Sequence, residues 1–335
     1  MAGTSATREP ATRRPEALSL PAGWRVIASK EMTDHVLSIR FLLLLLVLGL
    51  MGVGIFYSVA SSIRDVAEGA TNARGVFLAL FTANPSSDIT TAQLPSFVAL
   101  VGFLGPLLGI AFGFDAISSE RAEGTLPRLV AQPIHRDDVI NGKFVAGLGV
   151  IAFILAAVTL LVGGVGILRL GIVPSDDDLV RLLTWYVLSV IYIGFWLALA
   201  TLCSVVFRRA ATAALVALAA WLVLTFFGGL IADVITGYFA SPDQIEWYTR
   251  RQELARLIPQ TLYSEIATVV LDPSVRTLDV IGQAFLNVDE RAIPTALPYA
   301  QSVLLIWPQI VGLIAGTVIC FALAYVAFMR QEVRA

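Results

Sequence analysis

Charge is scarce in this chain of 335 residues: 14% are Asp, Glu, Lys or Arg, against 57% hydrophobic. A soluble domain carries about a quarter charged residues, so a water-soluble globule is excluded. Disorder, which needs low hydrophobicity, is excluded too. Cysteine is limited to Cys203 and Cys320, both inside long apolar runs, which rules out a disulfide framework and leaves them as small packing residues. The two histidines, His35 and His135, belong to neither a His-Glu-x-x-His motif nor a Cys/His cluster, so a structural metal site or a metalloprotease is not expected. A nucleotide-binding phosphate loop is missing: Asn141-Gly142-Lys143-Phe144 lacks both the earlier glycine and the hydroxyl residue. Gly-x-Ser-x-Gly is missing as well, and no catalytic constellation supports a membrane enzyme. A formal charge of −2 without a run of basic residues gives no reason to expect nucleic acid.

The abundant feature is the long apolar run. Spans are expected at Ile39–Ala60, Phe97–Phe114, Phe144–Leu168, Leu182–Val206, Ala211–Ile235 and Val303–Phe328. Each approaches or exceeds the roughly 20 residues a helix needs to cross a bilayer. Continuous runs, without the alternation of a barrel strand, require helices, because an unpaired backbone amide in lipid costs several kcal/mol. The fold class is therefore an all-α polytopic membrane protein. The run from Ile39 is too long for a cleaved signal peptide and reads as a retained first span. Arg13-Arg14 stands too far from it for a twin-arginine signal. Fourteen of the 23 lysines and arginines fall before span one, after spans two and four and in the tail. By the positive-inside rule both termini are cytoplasmic, in a plasma or inner membrane.

Between span ends no Asp, Glu, Lys, Arg or His occurs apart from Arg40, Asp115 and Asp233 at the boundaries. Ion-driven carriers keep such groups at membrane depth, so energy for any uphill movement must come from a partner.

Residues 1–21, rich in Thr, Pro, Arg and Ala, read as a mobile cytoplasmic tail. From 22 to 38 a short amphipathic interface helix is expected, with Trp24, Ile27, Ala28 and Met32 on one arc and Arg25, Ser29, Lys30, Thr33 and Asp34 opposite. Glu31 and His35 intrude on the apolar arc, either snorkelling or capping the first span, or meeting a protein partner. On the other side of the membrane, Asn84-Pro85-Ser86-Ser87-Asp88 is a turn cluster. Asp176-Asp177-Asp178 reads as a solvated helix start rather than a cation site. The segment Thr236–Ser302 is far longer than a connection needs. It contains an amphipathic helix over Gln244–Ile258 with Glu246 and Arg250 spaced i,i+4, stopped by Pro259. Two apolar stretches follow, Leu262–Leu271 and Leu278–Leu286, too short to span, which lie on the membrane or dip into it under protein cover. A small external helical cap results.

The loop after span two, residues 115–143, reads as a charged helical extension of that span to about Gly124, a short helix to about Ala131 and a turn at Pro133. Asp137 and Asp138 follow at the start of the third span, where the helix dipole favours acids. Two rigid pieces joined by a glycine suit a lever docking on another protein. The pattern Glu120-Arg121-x-x-Gly124-Thr125-Leu126, then Pro133-Ile134-x-Arg136, then Gly142-Lys143, resembles the signature of ABC type-2 permeases. Within that family it is most similar to the branch associated with multicopper-enzyme maturation. Lys30-Glu31-Met32-x-Asp34 resembles the family's amphipathic first helix, and the six-span layout resembles the rest.

The resemblance implies a permease dimer, a homodimer or a pairing with a related permease, bound to separate ATPase subunits that hold ATP and Mg, with no cofactor on this chain. It implies a coupling elbow at Glu120, Arg121, Glu123, Gly124, Thr125, Leu126, Arg128 and Pro133, with Arg136 and Lys143 bracing span three. Trp24, Ile27, Glu31 and His35 would lie on the interface helix. The implied function is the membrane subunit of an exporter. The alternative is a mechanotransmitter that moves its cap against an extracytoplasmic protein. Tyr192, Trp196, Trp221, Phe226 and Phe227 suit an apolar or amphipathic cargo, or are simply packing residues.

Overall fold

The computed structural model describes residues 23–69, 76–83, 95–124, 135–239, 244–279 and 296–331. The expected tail, the turn cluster at Asn84–Asp88, the helix to Ala131 and most of Leu278–Leu286 lie outside them. Every regular element described is helical. Six helices are long and apolar enough to cross a membrane: Ile39–Ala60, Phe97–Ala122, Arg136–Leu170, Asp176–Val206, Ala210–Phe239 and Tyr299–Arg330.

Helix α1, Gly23–Val36, precedes α2, Ile39–Gly69, which contains span one. Ser38 makes the joint: its hydroxyl donates to the His35 carbonyl (2.6 Å) and accepts from the Phe41 amide (3.2 Å). After α3, Val76–Thr82, span two begins as α4, Phe97–Gly113, capped by Ser96, and breaks before α5, Ser118–Ala122. Span three is α6, Arg136–Leu170, closed by Gly171 in the left-handed region (φ 69°), where a glycine avoids a Cβ clash. Span four is α7, Asp176–Val206, opened by a Ser175–Asp178 capping box. The triple aspartate is thus a helix start, and Asp177 pairs with Arg181. Span five joins α8, Ala210–Leu222, through a π-helical turn at Val223–Phe227 to α9, Gly228–Phe239. Two further helices, α10 (Gln244–Ala255) and α11 (Pro259–Leu271), precede span six, α12, Tyr299–Arg330.

The core is the contact between spans two and four. Gly105, Gly109 and Gly113 recur every four residues and bring the two backbones together. A Cβ on Gly109 would stand 2.6 Å from the Ile193 carbonyl oxygen, and one on Gly113 2.8 Å from that of Leu197. In lipid, where the solvent offers no hydrophobic drive for helix pairing, such close approach is what holds helices together. Trp185, Tyr192 and Trp196 pack fully buried around this seam.

The cap is set into the bundle. Helix α10 folds back along span five, where Arg251 pairs with Asp233, and reaches Gly228, whose surface Ile258 covers. Pro259 then occupies the first turn of α11, where its missing N–H costs nothing. Helix α11 climbs back through the core: Tyr263 stacks on Tyr192 with centroids 4.4 Å apart, and its hydroxyl accepts from the Trp185 indole (3.2 Å) and donates to the Val98 carbonyl (3.2 Å). Leu262–Leu271 is therefore packed within the bundle.

This hairpin also carries charge into the bundle. Glu265 accepts from Arg256 (2.9 and 3.1 Å) and from Gln309 of span six (2.8 Å). Arg181, with no exposed surface, ties span four to this assembly. Its guanidinium donates to Asp177 (2.7 Å), the Val270 carbonyl (3.2 Å), Ser302 (3.1 Å) and the Leu297 carbonyl (2.6 Å).

Candidate functional site

At the end of the bundle that carries both termini, α1 lies along the start of span three. Its buried and half-buried arc is Trp24, Ile27, Ala28, Glu31, Met32 and His35. Two glycines of span three admit it. A Cβ on Gly142 would meet Ile27 at 2.8 Å and the Trp24 carbonyl at 2.9 Å, and one on Gly149 would run into the Met32 side chain. The expected amphipathic arc therefore faces protein of the same chain. Glu31 and His35 neither snorkel nor await a separate protein, since both are partnered within the bundle.

Those partnerships define the site. Lys143 places its ammonium 3.0 Å from Glu31 and 2.8 Å from Glu120, so one cation joins α1, the elbow after span two and span three. All three side chains are mostly buried, at 7%, 13% and 15% exposure respectively for Lys143, Glu31 and Glu120. Low effective dielectric strengthens such a bridge and makes its rupture costly. Arg40 at the start of span one pairs with Asp115 and lies over the Phe114 ring. His35 packs edge-on against Phe112, with centroids 5.2 Å apart. Burial holds its imidazole below the ordinary value of 6.5, against the opposing pull of Glu31 and Asp115, with Lys143 and Arg40 adding to the decrease. Between these groups runs a polar cleft of about 230 Å³.

The extension of span two differs from the expected continuous helix. Residues 114–117 form turns, and α5 begins afresh at Ser118. The break has a clear cause: Ser204 of span four accepts hydrogen bonds from the Ile117 and Ser118 amides, both at 3.0 Å. Those donors are drawn sideways into another span instead of continuing the helical ladder. Past α5, Gly124 adopts φ 67°, with open space around it.

Arg121 does not reach outward. Its guanidinium donates to the Val205 carbonyl at the end of span four (3.3 Å) and to the Gln331 side chain beyond span six. Arg136 donates to the Gln331 carbonyl (2.9 Å) and lies over the Phe328 ring (5.5 Å). The elbow is thus fastened to spans three, four and six. Glu123 and Gly124 are exposed at its tip. Thr125, Leu126, Arg128 and Pro133 lie outside the described residues.

Of the residues singled out from sequence, Glu31, Glu120 and Lys143 meet directly, and Arg121 and Arg136 meet through Gln331. Ser204 and Gln331 carry much of this geometry and were missed. A serine inside an apolar run is a recognisable hint of a backbone bond. Gln331, just past the last span, gives no such hint. The proposed aromatics divide as well. Tyr192 and Trp196 are fully buried packing residues, whereas Phe226 and Phe227 are exposed on span five.

Six helices long and apolar enough to cross a membrane, with α1 braced on span three and a broken elbow after span two, make an all-α polytopic membrane protein. A family model described as ABC-2 family transporter protein matches residues 25–333, and the chain belongs to that family. It is similar to the probable ABC transporter permease protein NosY of Stutzerimonas stutzeri, 27% identical over 314 residues, covering 91% of this chain and 97% of that protein. It is also similar to the protein of the same description from Pseudomonas aeruginosa, 30% identical over 164 residues. That match spans about half of each chain, 49% and 51%. The chain is therefore a multi-pass membrane permease subunit of an ABC transporter and not an enzyme. Its family pairs with ABC ATPase subunits, which carry out ATP hydrolysis.

Proposed function

We propose that the chain is one half of a dimeric, ATP-driven exporter. In this reading both termini face the cytoplasm, and ATPase subunits holding ATP and Mg dock against α1 and the exposed elbow around Gly124. The positive-inside bias supports the orientation, and the family resemblance supports export and dimerisation.

The observation that carries the coupling role is the Lys143 bridge. A load on the elbow or on α1 reaches span three through one buried ammonium, and reaches spans four and six through Ser204, Val205 and Gln331. A dimer opening and closing would then follow from tilting spans rather than from ion binding within them.

A second reading, mechanotransmission to an extracytoplasmic protein, draws support from the hairpin α10–α11. Its fastening to span four by Arg181 would carry motion of that span into the cap. Reconstitution with the cognate ATPase tests both readings. Glu123→Cys should cross-link to the ATPase in the assembled complex. Lys143→Met should leave the ATPase bound while ATP turnover no longer moves the bundle, read by distance labels on spans three and four. Failure of Glu123→Cys to cross-link, or ATP-driven movement of spans three and four in Lys143→Met equal to that of wild type, would refute the coupling role. Export is distinguished from mechanotransmission by whether ATP drives efflux from sealed proteoliposomes.

A further inference from the structure

Five arginines lie at the end of the bundle that carries the termini: Arg121, Arg136, Arg208, Arg209 and Arg330. Gln331 and Val205 abut, with the Gln331 amide donating to the Val205 carbonyl at 2.8 Å. Arg121 and Arg136 both hold Gln331. Arg330 is its chain neighbour, and Arg208 and Arg209 follow Val205 within four residues. The described partners of Arg121 and Arg136 are all neutral oxygens of Val205, Phe328 and Gln331. Among the described residues, no carboxylate lies within ion-pair distance of any of the five. Arg136 also keeps a buried Nε without a hydrogen-bond acceptor.

Several cations elsewhere are neutralised. Arg40, Lys143, Arg181, Arg251 and Arg256 all face carboxylates. A cluster left uncompensated creates a positive potential that calls for an external anion. Arg208, Arg209 and Arg330 are exposed, and the apolar rows beside them are exposed too: Val206 at the end of span four, Leu215 on span five, and Val326 and Met329 on span six. The charges therefore stand where exposed apolar surface meets polar surface. Guanidinium groups match phosphate oxygens with paired hydrogen bonds, and basic pockets between spans on the cytoplasmic side take anionic headgroups.

We propose that this cluster binds the headgroup of an anionic phospholipid, with the acyl chains lying along the exposed rows of spans five and six. Bound there, the lipid bridges the elbow, the turn between spans four and five, and the end of span six. Assignment to the cytoplasmic leaflet rests on the orientation proposed above; lipid binding itself does not.

The test uses the full chain purified in detergent without ATPase, titrated with brominated phosphatidylglycerol or phosphatidylcholine, with tryptophan quenching as the readout. Phosphatidylglycerol should bind on the order of tenfold more tightly, as expected for several arginines near an anionic headgroup. The preference should fall to near unity in Arg208→Gln/Arg209→Gln/Arg330→Gln and survive in the matching triple lysine variant, which controls for folding. Equal binding of the two lipids, or a preference retained in the glutamine variant, would overturn the proposal. So would inorganic phosphate competing at the same concentration as the lipid, which would make the site one for a free anion. A preference abolished by adding the ATPase would assign the patch to an acidic surface of that protein and overturn it as well.

Discussion

Lys143 is the residue on which the terminal end of the bundle turns. It was legible as a basic residue at the start of span three, but nothing in linear spacing showed that Glu31, 112 positions earlier, would share it with Glu120. Such a link depends on Gly142 and Gly149 letting α1 approach, a property of the packed pair rather than of either segment. Lys143→Met should lower stability by about 3–5 kcal/mol, the range for removing one partner from a buried ion pair, measured by thermal unfolding in detergent. Adding Glu31→Gln and Glu120→Gln should recover part of that loss, since much of the penalty is buried carboxylate charge deprived of its nearest cation. An additive triple variant would show that the bridge is not the source of the loss.

His35 gives the same site a pH dependence. Its folded pKa lies below the unfolded value of 6.5, so the neutral form stabilises the fold. That contribution is complete above about pH 6.5 and is lost as pH falls through the folded pKa. Wild type should therefore lose melting temperature between pH 7.5 and 5.5 more steeply than His35→Phe. Parallel slopes for the two proteins would refute the assignment.

At the scale of elements, the spans could be read from apolar run length, because lipid imposes that requirement directly on sequence. Their ends were less visible. The helices run on through charged turns at Asp176–Arg181 and Arg136–Lys143 that an apolar count discards, and capping by Ser175 and Gly171 sets the true limits. The broken elbow was illegible for a different reason. Residues 114–117 have ordinary helix formers, and only the Ser204 hydroxyl, 86 and 87 positions away, diverts their amides. Ser204→Ala should weaken that break by about 1 kcal/mol, and amide exchange at Ile117 and Ser118 should rise locally, with spans one and five unaffected. The glycine seam predicts a larger effect. Gly109→Ala forces a methyl onto the Ile193 carbonyl, and overpacking against backbone costs about 1–3 kcal/mol or more. The same change at Gly54, which has open space around it, should be nearly neutral.

Across the whole molecule, span four connects the two ends. Ser204 and Val205 receive the elbow at one end, and Arg181 receives the hairpin and span six at the other, about 35 Å away for a helix of this length. Between them the span is buried on nearly every turn against spans two and six and α11, so it cannot tilt at one end without displacing what is fastened to the other. Arg181→Lys keeps the charge but loses the planar fork that reaches Asp177, Ser302 and two carbonyls at once. In the complex with ATPase, ATP should change hydrogen exchange over 259–271 in wild type. In Arg181→Lys the change should shrink severalfold, while exchange around Lys143 still responds. Because the substitution lies at the far end from the ATPase contact, loss of response in the hairpin alone separates failed transmission from failed docking. If ATP leaves the wild-type hairpin unchanged, span four does not act as a strut, and the cap moves, if it moves at all, through spans five and six.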